Sequence, residues 1–236
     1  MTMSSDTIRT VIGIIGNGAA LVLFLSPADV HQHLEEGFGG AVPIPYVATL
    51  LNCMIWVLYG LPLVHQHSML VITINGTGTA IELAYITLFL LCSTGKTRRK
   101  VLLLLAAEVA FVAVVAVLVI TLAHTHHRRS MIVGLLGVIF GTGMYAAPLA
   151  VMKMVIQTKS VEYMPLSLSL ASLVNGICWT TYALLKFDVY ITIPNGLGVL
   201  FALAQVVLYG IYYKSTKEII EARKRKADQV AMTEVV

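Results

Sequence analysis

Asn75 and Asn195 are the residues of this 236-residue chain best suited to bind a ligand. Each places two donors and an acceptor in the middle of an apolar run, where a polar group without a partner is costly. Each is followed by a glycine, Gly76 or Gly196, which lets another group approach closely. One such asparagine alone reads as glue between helices. Two in matching surroundings point to a binding site. Trp56 and Trp179 recur in the same way, mid-run and away from the run ends where tryptophan usually gathers. Either alone reads equally well as core packing. Together with the amides, an indole face can cover the C–H face of a polyhydroxyl ring while the amides take its hydroxyls. No cationic or anionic cage accompanies the four, so the expected ligand is small and neutral, neither a nucleotide nor an amino acid.

Four prolines, Pro27, Pro45, Pro148 and Pro165, fall near one end of their runs. Proline removes a backbone donor and loosens a helix, so these positions are expected to act as hinges where two halves rock. Tyr59, Tyr182 and Asp188 sit towards the opposite ends, where they either close an outer mouth by hydrogen bonding or anchor the interface. Glu82 follows Asn75 by seven residues, two turns along the same face; an intramembrane carboxylate suggests proton coupling, but the second copy carries Ala202 at the matching place, which argues against it. Glu108 stands on a different run. The tract His124-Thr125-His126-His127 looks like a metal tract but is expected to be a solvated external loop. Cys53, Cys92 and Cys178 have no metal or disulfide spacing and read as small buried thiols. No nucleophile–base pair lies within the apolar runs, and Gly76-Thr77-Gly78 and Gly141-Thr142-Gly143 follow no strand, so neither an enzyme, a cofactor nor a phosphate loop is expected.

The elements that must position these residues are membrane helices. The chain is 58% hydrophobic and only 12% charged, against about 25% charged in a soluble domain. A bilayer core of about 30 Å needs roughly 20 apolar residues per crossing. Seven runs qualify: 8–26, 43–64, 68–92, 101–123, 131–152, 163–185 and 187–213. The first lacks a basic leader and a small-residue cleavage site, so it is expected to be retained. With the N-terminus outside, twelve of the sixteen Lys and Arg residues fall in inner segments, the orientation favoured by the positive-inside rule. Topology thus accounts for the net charge of +4, and no nucleic acid is implied. The basic tail 214–236 is expected to extend the last helix briefly and then fray, with lipid contact as its only further use.

Three of the runs are duplicated. Val11-Ile12-Gly13-Ile14-Ile15-Gly16 matches Ile132-Val133-Gly134-Leu135-Leu136-Gly137 at an offset of 121, which also carries Pro27 onto Pro148. Asn52, Trp56 and Tyr59 match Asn175, Trp179 and Tyr182 at 123, and Thr73-Ile74-Asn75-Gly76-Thr77-Gly78 matches Ile193-Pro194-Asn195-Gly196-Leu197-Gly198 at 120. Residues 8–92 and 131–213 are therefore read as two three-helix repeats, joined by the linker helix and loops of 93–130. One extra crossing gives both repeats the same orientation, so the expected fold is an all-α, seven-helix 3+1+3 membrane protein with its site between two parallel bundles.

Phe24-Leu25-Ser26-Pro27, Pro45-Tyr46-Val47-Ala48-Thr49-Leu50-Leu51-Asn52-Cys53, Thr73-Ile74-Asn75-Gly76, Thr158-Lys159-Ser160-Val161-Glu162-Tyr163-Met164-Pro165 and Ile193-Pro194-Asn195-Gly196 resemble the plant SWEET sugar transporters, most closely the branch associated with hexoses. The resemblance covers about residues 6–215. It implies bidirectional facilitated movement of sugar by alternating access, without a coupling ion or cofactor. It also implies a proline tetrad of Pro27, Pro45, Pro148 and Pro165 supported by Met164 and Gln205, a pocket of Asn75, Asn195, Trp179 and Trp56, and an outer gate of Tyr59 and Asp188. Homo- or hetero-oligomers and the plasma membrane are further implications. A proton-coupled sugar transporter and a transport-inactive partner of active homologues are the alternatives. One stretch departs from the family pattern: Ala28 to Gly40 is acidic and glycine-rich where a basic turn is usual.

Overall fold

A computed structural model describes residues 4–26, 44–93 and 95–234. The described chain is helical: α1 (Ser5–Phe24), α2 (Ile44–Gly60), α3 (Met69–Cys92), α4 (Gly95–Leu122), α5 (His126–Gly143), α6 (Ala146–Thr158), α7 (Leu166–Leu184) and α8 (Val189–Glu234). Four crossings, α1, α3, α4 and α8, are single helices long and apolar enough for a bilayer, and α5 with α6 makes a fifth. The repeat-related α2 and α7 complete seven crossings; at 17 and 19 residues they span about 26 and 28 Å.

Packing follows the duplication. Within the first repeat α3 packs on α1 and α2; within the second, α8 packs on α5 and α7. Between repeats, α1 packs on α7 just as α5 packs on α2. The linker α4 packs on α2 and α5, meets the end of α3 through Val101 and Phe89, and leaves Leu103, Val109, Val114 and Val117 exposed to the surrounding apolar phase. The turns repeat as well. His67 and Phe187 both adopt left-handed φ, 60° and 48°, immediately before Ser68 and Asp188 at the starts of α3 and α8. Such a backbone is uncommon for a bulky residue. Its recurrence at equivalent positions marks it as part of the fold.

Three expectations are corrected. The run 131–152 is two helices, because Pro148 has no N–H and its ring crowds the carbonyl four residues back, so the chain turns at Met144 and Tyr145 and restarts as α6. His126 and His127 open α5 instead of lying in a loop, because the Thr125 side chain accepts from the Arg128 N–H and caps the helix there. The tail does not fray soon after 213: α8 runs to Glu234. Good helix formers fill it. Arg225 pairs with Glu221 one turn back, and Arg223 grips Glu162 beside α7 with both amino groups, at 3.0 and 3.2 Å.

Candidate functional site

The two repeats enclose a central cavity of about 170 Å³, lined by Asn52, Asn75, Asn175, Asn195, Trp56 and Trp179 among apolar neighbours. Asn75 and Asn195 adopt the same geometry. Each Nδ2 donates to the carbonyl one turn back, Val71 or Ile191, at 2.9 Å. That bond fixes the amide and leaves its oxygen as the acceptor available to a ligand. Among the described residues, the buried Oδ1 atoms of Asn52 and Asn175 have no hydrogen-bond partner. A buried amide oxygen without a partner is costly, and a hydroxylated ligand would relieve that cost.

The tryptophans are buried, Trp56 on α2 and Trp179 on α7. Glycine makes room for each. A Cβ on Gly16 of α1 would lie 3.1 Å from Trp179 Nε1, and one on Gly137 of α5 would lie 3.0 Å from Trp56 Cζ2. The glycines are repeat mates, so the same close approach occurs in both halves.

Two tyrosines roof the cavity at the end of the bundle where α1 begins, termed the upper end. Tyr59 meets Trp56 edge-on at 5.4 Å between ring centroids, and Tyr182 meets Trp179 at 5.1 Å. The Tyr59 hydroxyl donates to Asp188, which also accepts from the N–H groups of Tyr190 and Ile191 and thereby caps α8. His65 stacks on Tyr59 and brings Nε2 to 3.4 Å from the same carboxylate. Burial holds the His65 imidazole below its ordinary pKa, against the pull of Asp188. Tyr182 does not join this group; Arg9 lies over its ring.

A sequence model of a family described as "Sugar efflux transporter for intercellular exchange" matches residues 10–97 and 131–217, one match per repeat. The bidirectional sugar transporter SWEET4 of Oryza sativa subsp. japonica is 74% identical, with 99% of this chain and 92% of that protein covered. SWEET7 of Arabidopsis thaliana, another bidirectional sugar transporter, is 51% identical over 98% of this chain and 91% of its own. The chain belongs to the SWEET family of sugar transporters. A solved structure of a eukaryotic SWEET transporter superposes with a TM-score of 0.84 at 37% identity, covering 89% of this chain and 99% of that one. The 3+1+3 architecture is thus the SWEET fold, and the family is one of transporters, not of enzymes.

On this SWEET scaffold the structure brings Asn75, Asn195, Trp56 and Trp179 to one cavity, and Tyr59 to Asp188 above it. The described prolines of the tetrad stand at helix starts. Pro45 lies in the first turn of α2, Pro148 in the first turn of α6, and Pro165 caps α7. Pro27 and the atypical Ala28–Gly40 stretch lie outside the described residues. Met164 packs with Met152, Val155 and Val161, away from the cavity lining. Gln205 shares a second cavity of about 150 Å³ with Pro148, Asn175 and Asn195, below the central one. Glu82 is buried on α3 and does not line the central cavity. Asn52 and Asn175 were not singled out above as ligand residues, although the offset of 123 that paired the tryptophans pairs them too.

Proposed function

We propose that this SWEET protein carries a hexose such as glucose down its gradient, in either direction, by alternating access. The cavity supports this most directly: four amides and two indoles from both repeats converge on about 170 Å³ with no charged lining residue. Pockets for drug-sized ligands measure about 300–1,000 Å³, so this smaller cavity suits a single sugar ring better than a disaccharide. In this reading Asn75 and Asn195 accept sugar hydroxyls, Asn52 and Asn175 offer further polar contacts, and the ring lies between Trp56 and Trp179. Tyr59 and Asp188, with Tyr182 beside them, close the upper end. Pro27, Pro45, Pro148 and Pro165, with Met164 and Gln205, serve the lower gate.

The upper end is the extracellular one in this proposal, with the plasma membrane as the site of action and the tail in the cytosol. The long exposed apolar face of α4 is available to lipid or to further copies in a homo- or hetero-oligomer.

Uptake of labelled glucose and sucrose by cells lacking hexose transporters, at two external pH values and with surface expression checked, tests the reading. Saturable glucose uptake indifferent to pH supports it. Uptake that rises with acidity and is lost in Glu82→Gln favours a proton-coupled carrier, for which the buried Glu82 is the relevant group. Surface expression without flux indicates a transport-inactive partner.

A further inference from the structure

Arg9 is buried at the upper end, 7% exposed. Its neighbour in charge, Asp6, is occupied by Lys186 at 2.8 Å. Arg9 instead spends its donors on two carbonyls. Nε donates to Tyr182 O at 3.2 Å and Nη1 to His67 O at 2.9 Å. The guanidinium carbon lies 3.8 Å from the centroid of the Tyr182 ring, a cation on an aromatic face. Tyr182 belongs to the second repeat, while Arg9 and His67 belong to the first. One side chain therefore ties the two halves together across the α1–α7 contact.

Tyr182 and Tyr59 are repeat mates, and both press edge-on against a cavity tryptophan. Their partners have diverged in sign. The Tyr59 hydroxyl is held by the anion of Asp188, and the Tyr182 ring face is held by the cation of Arg9. The positions equivalent to those partners are uncharged: Ser68 stands for Asp188 at an offset of 120, and Ser130 stands for Arg9 at 121. Among the described residues each tyrosine thus touches a different charge, and the chemistry of each fits what it touches. A hydroxyl proton suits a carboxylate, and a ring face suits a cation.

We infer that Arg9 is a second upper-gate residue, acting through Tyr182 to favour the upper-closed state. Parting the halves at the upper end separates Tyr182 O from His67 O, so the guanidinium must release one carbonyl and leave the ring. Loss of Arg9 removes that cost from opening only. The upper-open state gains population, and apparent affinity from the upper face rises with it. This inference rests on the reading that the central cavity carries sugar and opens at that end.

Zero-trans influx and efflux of labelled glucose in Arg9→Met, Arg9→Lys and wild type test it. The two tryptophans of the chain both line the cavity, so their quenching by iodide, applied to the upper face of oriented proteoliposomes, reports opening independently. Arg9→Met is expected to lower the upper-face KM relative to the lower-face KM at least threefold and to increase quenching. Arg9→Lys keeps the cation and restores part of both. Tyr182→Leu, which removes the ring, shifts both readouts in the same direction and serves if Arg9→Met fails to fold. A fall in Vmax with the KM ratio and the quenching unchanged overturns the inference. Wild type without saturable flux overturns the sugar-carrier reading instead, and the quenching comparison still decides whether Arg9 holds the upper end closed.

Discussion

Tyr59 and Asp188, 129 residues apart in sequence, meet where the two repeats close: the phenol donates to Oδ1 and Oδ2 at 3.0 and 2.9 Å. A hydrogen bond to a charged acceptor contributes about 1.5–3 kcal/mol, enough to change the population of the closed state tenfold. Tyr59→Phe is therefore expected to reduce glucose uptake severalfold at normal surface expression. The double variant Tyr59→Phe with Asp188→Asn should be little worse than Tyr59→Phe alone, because both remove one interaction. Asp188 also caps α8, and asparagine retains an acceptor for that task. Asp188→Ala should consequently be less stable than Asp188→Asn by about 1 kcal/mol, read as a lower Tm in detergent; equal Tm values would contradict the capping role.

The four cavity asparagines should separate by variant. Asn75→Ala or Asn195→Ala is expected to abolish uptake with surface expression intact, since each contributes an oriented acceptor to the cavity. Asn52→Ala or Asn175→Ala should raise the glucose KM about two- to tenfold, the size of one net hydrogen bond. Full uptake in both Asn75→Ala and Asn195→Ala would remove these amides from the site.

Gly16 and Gly137 give a steric test. Ala at either position places a methyl 3.0–3.3 Å from a tryptophan ring, and in a packed interior the ring must move. Reduced glucose uptake is expected from both, about two- to fivefold. Gly18→Ala, where a Cβ meets nothing within 4 Å, should transport normally, which makes it the control for any general effect of alanine in α1.

His65 carries the pH prediction. Its folded pKa is held below the ordinary 6.5 by burial, opposed by Asp188 and reinforced by Arg9, His67 and His126. The unfolded chain therefore binds more protons than the folded one as the pH drops past 6.5. The corresponding stability is complete above 6.5 and is lost as pH falls towards the folded pKa. Tm in detergent should decline on acidification below 6.5, and His65→Gln should flatten that decline. An unchanged acid limb in His65→Gln would assign the decline to other groups.

Seven crossings and their duplication were legible in the chain because bilayer length and internal repetition are one-dimensional signals. Trp56 with Trp179 and Asn75 with Asn195 announced themselves the same way. The break before Pro148 was less legible: a proline tells where a helix can open, and only packing decides that it becomes two helices. The tail to Glu234 was misread because its support comes from Glu162, 61 residues from Arg223.

The amino-acid sequence by itself determined the class, the count of crossings, the two parallel repeats and the residue types offered to a ligand, since each follows from periodicity, composition or recurrence. The family resemblance offered Tyr59 to Asp188, but Arg9 as the partner of Tyr182 belonged to the tertiary structure alone. Tyr59 and Tyr182 are equivalent by recurrence, yet one meets a carboxylate and the other a guanidinium. The physical reason is that contacts between α1 and α7, and between α2 and the start of α8, depend on how helices cross in three dimensions, and a linear offset carries no record of that crossing.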